Sequence, residues 1–314
     1  MSSVQNQNVK ASLNEREGFQ VWWRLLRPHT LTAAFVPVFV GTMLAAVEDS
    51  INFWLFAAML LASILIQAAT NMFNEYYDFV RGLDNENSVG IGGTIVRDGV
   101  RPRTILILAL SFFFIAGVLG VYICLASSWW VAVIGLVSML FGYLYTGGPY
   151  PIAYTPFGEI TAGLFMGTII IAISYFIQQL TLSWHVILIS IPVAIFVGAI
   201  LLSNNIRDRV GDKENGRRTL AILFGHKGSI RFLTILVVIA YTLTLAFILT
   251  GLLPFWSLIT FLSIHKARQA IQGFKGKSAP LEMMPAMKFT AQTNTFYGFL
   301  LGLSLLLQVY IPLG

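Results

Sequence analysis

The sequence predicts an all-α integral membrane protein, a bundle of nine transmembrane helices around a central cavity that opens near the cytoplasmic face. Of its 314 residues 56% are hydrophobic and the mean hydropathy is +0.75, too apolar for a water-soluble domain of this size. Uncharged apolar runs recur along the chain, and several are long enough to cross a bilayer core, which takes about 20 residues as a helix. Two rows of polar residues beside these runs predict the cavity.

Nine apolar runs make up most of the chain. They cover residues 30–47, 53–73, 104–125, 128–145, 158–178, 186–204, 231–248, 250–265 and 293–312. The seventh and eighth are close enough together to form one long kinked helix instead. We expect one transmembrane domain, residues 30–314, after a cytoplasmic and interfacial segment, residues 1–29.

The distribution of positive charge favours nine crossings. With the N-terminus inside, all 20 Lys and Arg then fall in cytoplasmic segments, and the external loops carry only Glu48 and Asp49. Eight crossings would move the basic segment 266–292 outside, against the positive-inside bias. We therefore expect a protein of the cell membrane with its N-terminus inside and its C-terminus outside. A basic cytoplasmic face also explains the net charge of +6 without a nucleic-acid partner.

Polar residues form two matched rows, after the second and the sixth run. The first row is Asn71, Asn74 and Asp78, and the second is Asn204, Asp208 and Asp212. Because residues three or four apart share a helix face, each row points one way if its helix extends that far. Carboxylates facing lipid would be costly, so the rows should face a common cavity. Matched polar breaks in two halves of a membrane protein indicate a shared central site.

Oxygen ligands and interleaved cations suggest what this cavity holds. Facing carboxylates repel one another unless a cation lies between them, and oxygen donors without thiols or clustered His favour Mg²⁺. The only cysteine, Cys124, lies in an apolar run, so a thiolate metal site is excluded. The cations near the rows are Arg81, Arg97, Lys213, Arg217 and Arg218. Acids that hold Mg²⁺ beside Arg and Lys are typical of a diphosphate site, where they stabilise a departing charge.

At these residues the chain resembles the UbiA superfamily of intramembrane prenyltransferases. The family's N-D-x-x-D motif stands here as Asn74-Glu75-Tyr76-Tyr77-Asp78, with Glu in place of Asp, and its D-x-x-x-D motif as Asp208-Arg209-Val210-Gly211-Asp212. The stretches "SVGIGGTIVRDG", "YLYTGGPYPIAYTPFGE" and "NNIRDRVGDKENGRRTLAILFG" are most similar to the branch that prenylates 1,4-dihydroxy-2-naphthoate in menaquinone synthesis. The chain departs from the pattern at Gly82, where relatives often have Asp.

The resemblance implies a reaction. Two Mg²⁺ ions bridge the acids to the diphosphate of a polyprenyl donor, and diphosphate leaves to give an allylic carbocation. The aromatic ring of a small acceptor attacks this cation, carbon dioxide is lost, and demethylmenaquinone results in its hydroquinone form.

The resemblance also implies residue roles. The metal residues are Asn74, Asp78, Asn204, Asp208 and Asp212, with Glu75 and Asp84 in the outer part of the metal site. The residues that face the diphosphate are Arg27, Arg81, Arg97, Lys213, Arg217 and Arg218. Tyr145 stabilises the cation or orients the acceptor, so that it joins Asp78, Asp208 and Asp212 as a catalytic residue. The alternative interpretations are a headgroup anchor for Arg27 and an interfacial aromatic residue for Tyr145.

Two other functions are compatible with parts of the sequence. An ion-coupled transporter also has paired polar breaks, but its site lies near the middle of the membrane, whereas these acids lie at the cytoplasmic end. Among enzymes, the alternative acceptor is 4-hydroxybenzoate or a related aromatic compound.

Overall fold

The computed structural model describes residues 18–84 and 93–312, and this part of the chain is largely helical. The predicted N-terminal segment lies outside the described residues except for 18–29. The helices are α1 Phe19–Leu26, α2 Pro28–Glu48, α3 Phe53–Val80, α4 Thr94–Asp98, α5 Pro102–Ala126, α6 Trp130–Leu144, α7 Gly158–Gln179, α8 Trp184–Glu214, α9 Leu220–Leu249, α10 Ile264–Phe274 and α11 Pro280–Tyr310. Two 3₁₀ segments, Ile152–Tyr154 and Phe255–Ser263, precede α7 and α10.

Six helices among the described residues have the length and apolar composition needed to cross a membrane: α2, α3, α5, α7, α8 and α9. Helix α6 is apolar but has only 15 residues. Helix α11 has 31 residues and carries several polar side chains in its first half. The all-α membrane fold is therefore confirmed, whereas the number of crossings stays a prediction.

The polar rows lie on the same helices as the apolar runs that precede them. Helix α3 continues from the apolar run to Val80, and α8 continues to Glu214. Each helix ends just before a glycine with positive φ, Gly82 at 73° and Gly216 at 79°, a conformation that favours glycine. Both helices thus extend through their polar rows, as the prediction of two one-sided rows requires.

The eighth run differs from its prediction. The sequence indicated a helix over residues 250–265, but the chain turns at Gly251 (φ 74°) and continues as the 3₁₀ segment that leads into α10. Pro254 directly precedes that segment and supplies no backbone N–H, so α9 does not continue through this region.

Small residues bring α7 and α8 close together. A Cβ atom added to Gly163 would lie 2.7 Å from the carbonyl oxygen of Ala194, and one added to Gly167 would lie 2.5 Å from the Ala194 Cα. Residues Gly163–Ile169 form a π-helical stretch within α7, a feature that is frequent at functional sites. This close packing fixes α7 beside the second polar row.

Candidate active site

A cavity of about 980 Å³ extends along helices α3, α5, α6, α7 and α8. On α3 its lining runs from Asp78 to Met59, about 28 Å at 1.5 Å per residue, which is close to the thickness of a bilayer core. The end near Asp78 is polar, and both polar rows line it. The remainder is lined mainly by apolar side chains and glycines, including Met139, Phe165 and Ile173. One continuous space therefore joins a charged end to a long apolar region.

The first row holds the start of α2 and the loop after α6. Asn71 donates from Nδ2 to the Leu26 carbonyl oxygen and to Thr30 Oγ1, both at 2.9 Å. The Oδ1 atom of Asn74 accepts a hydrogen bond from Thr146 Oγ1 at 2.7 Å. Both amides line the cavity, so the row has a polar face fixed on two sides.

The second row has oxygen atoms without partners. Asp208 accepts hydrogen bonds from Arg207, at 2.7 Å from Nε and 2.6 Å from Nη2. Among the described residues, no donor meets the buried Oδ2 of Asp212 or the buried Oδ1 of Asn204. All four residues line the cavity. Buried oxygen atoms that lack a donor are available to a cation.

Arg217 links the two rows. Its Nη2 donates to Asp78 Oδ1 at 2.7 Å, and its Nη1 donates to Asp212 Oδ1 at 2.9 Å. Its guanidinium group also lies over the ring of Tyr154, 5.3 Å from the ring centre. Burial disfavours the charged form of Arg217, but the carboxylates of Asp78 and Asp212 outweigh it and raise the pKa above its ordinary value. The rows predicted to meet are thus joined by one cation.

Asp84 adds a third acidic position to the polar end. Its backbone N–H, like that of Leu83, donates to the Asp78 carbonyl oxygen at the end of α3, and its side chain lines the cavity. Burial, together with the negative charges of Asp78 and Glu75, raises the pKa of the Asp84 carboxyl to about 7. The carboxylates here therefore repel one another, as expected of a site for a cation.

Glu75 points away from this cavity. Its side chain is 1% exposed, and its Oε1 accepts hydrogen bonds from the backbone N–H groups of Gly93 (2.7 Å) and Ile95 (3.3 Å). Its Oε2 lies 3.5 Å from Arg27 Nη2. These contacts fix the start of α4, and the expected place of Glu75 in the outer part of the metal site stays a prediction.

Four of the predicted diphosphate cations also lie off the cavity lining. Arg81 donates to the carbonyl oxygens of Thr146 and Gly148, the latter at 2.7 Å. The other three are Arg97 on α4, exposed Lys213 and exposed Arg218. Sequence proximity to the acids does not distinguish a side chain that turns inward from one that turns toward the surface or toward backbone carbonyls.

Arg27 and Tyr145, by contrast, both line the cavity. Arg27 has a positive φ of 51° between α1 and α2, which brings the side chain beside Glu75. The hydroxyl group of Tyr145 lies 3.4 Å from the position that a Cβ on Gly158 would take. Both side chains are therefore available to a ligand in the cavity, and their roles stay predictions.

The donor set fits Mg²⁺ in its chemistry. Carboxylate and amide oxygens from α3 and α8, with two of them unpartnered, are the ligands that Mg²⁺ prefers. Among the described residues, no three His, Cys, Asp or Glu side chains converge closely enough to chelate a metal by themselves. Mg²⁺ commonly uses one or two carboxylates and completes its coordination with water and substrate phosphates, which is consistent with this arrangement.

Comparison with known proteins identifies the family. The sequence profile described as the UbiA prenyltransferase family matches residues 34–279. The chain belongs to this family. Among curated relatives, a 1,4-dihydroxy-2-naphthoate octaprenyltransferase of Bacillus subtilis is 56% identical over 93% of this chain and 94% of its own length. A Haemophilus influenzae protein of the same description is 28% identical over 95% of this chain and 99% of its own length. The predicted family is confirmed, which excludes the transporter alternative.

Solved structures share the fold at low sequence identity. A UbiA homologue from Aeropyrum pernix has a TM-score of 0.67 at 13% identity, covering 90% of this chain and 98% of that one. A homologue from Archaeoglobus fulgidus bound to DMAPP and Mg²⁺ has a TM-score of 0.62 at 16% identity, and the match covers 92% of this chain and 98% of that one. The protein is thus a multi-pass membrane protein with the UbiA fold.

Sequence reasoning missed three polar residues at this site. Arg207 holds Asp208, and Asn205 lines the cavity and binds the buried carboxylate of Glu159. Glu159 could have been found, because an acidic residue near the start of a membrane helix is rare and marks functional positions. Arg207 could not, because the direction of an Arg beside an Asp on one helix depends on the neighbouring helices.

Proposed function

We propose that this prenyltransferase moves a polyprenyl group from polyprenyl diphosphate to 1,4-dihydroxy-2-naphthoate with loss of carbon dioxide and diphosphate. The observation that carries the proposal is the 56% identity, over nearly the full length of both chains, to the Bacillus subtilis enzyme named for this acceptor. A Synechocystis relative at 27% identity is named as a phytyltransferase acting on a 2-carboxy-1,4-naphthoquinone. Both names describe a prenyl group joined to a naphthoate-type ring.

The shape of the cavity supports a prenyl donor. A polyprenyl diphosphate has a multiply charged anionic head and a long hydrocarbon tail, and the cavity, about 28 Å long on α3, has a charged end and an apolar remainder. The apolar lining would bury the tail, since burial of hydrocarbon favours binding by about 25 cal/mol per Å². Diphosphate and acids would meet only at the polar end.

Mg²⁺, with two ions as the family resemblance implies, would be held at the polar end by both rows. The residues that would hold it are Asn74, Asp78, Asp84, Asn204, Asp208 and Asp212, all of which line the cavity. When bound, Mg²⁺ supplies positive charge that stabilises the departing diphosphate. Arg217 and Arg27 line the same end and would contact the diphosphate oxygens.

The protein's own groups would protect and direct the reaction. Phe141 and Phe165 stack with ring centres 4.4 Å apart between α6 and α7, and both line the cavity beyond its polar end. These rings would keep water from the allylic carbon once diphosphate has left. Tyr145 lies on the lining as well and would orient the acceptor ring toward that carbon. The new bond forms at the ring carbon that loses the carboxylate, whose bonding electrons return to the ring.

The orientation in the membrane follows from charge. We place the polar end of the cavity at the cytoplasmic face of the cell membrane, with nine crossings, the N-terminus inside and the C-terminus outside. The confinement of all 20 Lys and Arg to the predicted cytoplasmic segments supports this orientation.

A competition assay tests the choice of acceptor. Purified full-length protein in lipid nanodiscs would receive a polyprenyl diphosphate, Mg²⁺, and equal concentrations of 1,4-dihydroxy-2-naphthoate and 4-hydroxybenzoate. We expect the prenylated naphthoate as the dominant product by mass spectrometry. Prenylated benzoate alone would reject the naphthoate acceptor but keep the prenyltransferase.

A further inference from the structure

A buried carboxylate on α7 belongs to neither polar row. Glu159 is 5% exposed, and its Oε1 accepts a hydrogen bond from Asn205 Nδ2 at 2.9 Å. Across residues 18–84 and 93–312, no donor meets its buried Oε2, and no Lys, Arg or His forms an ion pair with it. A carboxyl group buried in a membrane protein without a cation is costly, so it is expected where it has a function.

Glu159 fixes the orientation of the Asn205 amide. A carboxylate oxygen accepts hydrogen bonds but does not donate them, so it selects the NH₂ end of the amide. The carbonyl end, Oδ1, is then directed elsewhere, and Asn205 lines the cavity. Within the described part of the chain, Oδ1 accepts no hydrogen bond. Asn205 therefore contributes an amide of fixed orientation to the cavity lining beside the second polar row.

Tight packing holds the two residues in register. A Cβ added to Gly198 on α8 would lie 2.9 Å from the Glu159 carbonyl oxygen, so the helices meet backbone to backbone at this level. Gly163, one turn further along α7, contacts Ala194 in the same way. Glu159 is thus held by a rigid helix pair and not by a loop, as a precise positioning role requires.

We propose that Asn205, oriented by Glu159, binds a hydroxyl group of the aromatic acceptor. The Oδ1 atom accepts the hydrogen bond from the phenolic O–H, which increases electron density in the ring that attacks the prenyl carbon. Asn205 directly follows Asn204 of the metal row, so the hydroxyl is held beside the diphosphate end of the cavity. Glu159 is a positioning residue that acts through Asn205. This inference rests on the proposed function, because it needs a hydroxyaromatic acceptor.

Steady-state kinetics on the full-length protein in nanodiscs test the inference. We expect Asn205→Leu to raise the KM for 1,4-dihydroxy-2-naphthoate about tenfold, the equivalent of one lost hydrogen bond, and to leave the KM for the polyprenyl diphosphate within about twofold. Glu159→Leu should do the same, whereas Glu159→Gln should retain most of the affinity because its Oε1 still accepts from Asn205. The matched control is Ser190→Ala, which removes the 3.0 Å hydrogen bond to Thr168 between the same two helices outside the cavity lining.

Inhibition by incomplete acceptors identifies the hydroxyl. Competitive inhibition constants would be measured for 1-hydroxy-2-naphthoate and 4-hydroxy-2-naphthoate. We expect the substitution Asn205→Leu to raise the inhibition constant of one analogue only, the one that keeps the hydroxyl bound by Asn205. Equal constants for both analogues in both proteins would overturn the inference.

Other outcomes separate this inference from the proposed function. If Asn205→Leu changes the Mg²⁺ requirement and leaves the KM for the acceptor unchanged, Asn205 is a metal ligand. That result would overturn this inference and leave the proposed function intact. If the wild type uses 4-hydroxybenzoate instead of the naphthoate, the naphthoate proposal fails, and the same variants measured with 4-hydroxybenzoate still decide the role of Asn205. If the wild type prenylates no hydroxyaromatic compound, both fail.

Discussion

At the scale of single residues, the proposed function depends on a few oxygen atoms that have no donor among the described residues. Asp212 uses one carboxylate oxygen to bind Arg217 and has the other free of partners within the described residues. Asp208 is held by Arg207 in a fixed orientation and is partly exposed to the cavity. Such side chains combine rigid placement with open coordination positions, which is the requirement for a metal site that also admits a substrate.

Substitution of Asp208 should affect turnover and not folding. We expect Asp208→Asn to lower kcat by at least about two orders of magnitude, because a neutral amide stabilises Mg²⁺ and the departing charge much less than a carboxylate. The protein should still fold, since the Asn carbonyl oxygen accepts one of the two hydrogen bonds that Arg207 donates to Asp208. Lys213→Ala, an exposed change on the same helix, is the control and should remain within about twofold of the wild type. Near-normal turnover of Asp208→Asn would remove this residue from the metal site.

Asp84 should make Mg²⁺ use depend on pH. The pKa of its carboxyl in the protein without metal is about 7, above the ordinary 3.8, so the proton is bound below pH 7 and must leave before Asp84 can hold Mg²⁺. We expect the Mg²⁺ concentration for half-maximal activity to fall about tenfold from pH 6 to pH 8.

The same pKa has a consequence for stability. Because the folded-state pKa is raised, the folded protein binds the proton more tightly than the unfolded chain, and this contribution to stability is lost as the pH rises through 7.

Asp84→Asn is the control and should flatten the pH dependence of Mg²⁺ use. An unchanged slope in that variant would assign the proton to another group, such as the diphosphate.

At the scale of helices, α7 and α8 are positioned by glycines that tolerate no side chain. A Cβ on Gly167 would lie 2.5 Å from the Ala194 Cα, so at least one backbone must move to accept it. On α6, by contrast, a Cβ on Gly135 would meet no atom within 4 Å. Gly167 and Gly135 both lie within helices but differ in the space around them, so they form a matched pair for substitution.

Gly167→Ala should therefore destabilise the protein, and Gly135→Ala should not. We expect Gly167→Ala to lower the melting temperature in detergent by several degrees, as overpacking costs about 1–3 kcal/mol. Gly135→Ala should be neutral or slightly stabilising, because alanine restricts the unfolded chain and favours the helix. Equal melting temperatures for the two variants would contradict the close packing of α7 on α8.

The helices also decide which parts of the site were predictable. Asp78, Asp208 and Asp212 were found because spacing on a helix fixes which residues share a face, and the helices extend through the rows. The contacts of Glu75 could not be predicted, because Gly93 and Ile95 lie in a separate part of the chain whose path no local pattern reveals. Position in the sequence therefore predicts which acids of a helix share a face, whereas it does not predict which side chains bind loop backbone.

Turns limited the prediction in the second half of the chain. Hydropathy alone does not distinguish an α-helix from the 3₁₀ segment at Phe255–Ser263, because both bury apolar side chains. Gly251 and Pro254 stood within the predicted run and were the available signal for a break.

At the scale of the whole molecule, topology and cavity are linked. If the N-terminus is inside, the acid rows face the cytoplasm and the apolar region extends toward the outer face. Cys124 is the only cysteine and is buried in α5, so single introduced cysteines can report the topology.

Cysteine labelling should place Lys277 inside and Asp49 outside. In a Cys124→Ala background, Lys277→Cys and Asp49→Cys would be treated in intact cells with a membrane-impermeant maleimide. We expect labelling of Asp49→Cys only, and labelling of Lys277→Cys after the cells are opened. External labelling of Lys277→Cys would contradict nine crossings with the N-terminus inside.

The central claim is that acids from both halves of the chain form one Mg²⁺-dependent site for prenyl transfer. The most direct measurement is the formation of prenylated naphthoate by purified wild-type, Asp78→Asn, Asp212→Asn and doubly substituted protein, with Mg²⁺ or with a chelator. We predict product only from the wild type with Mg²⁺, with each single change nearly as damaging as both, because the two carboxylates act as one unit. Full activity in either single variant, or product without Mg²⁺, would contradict the account.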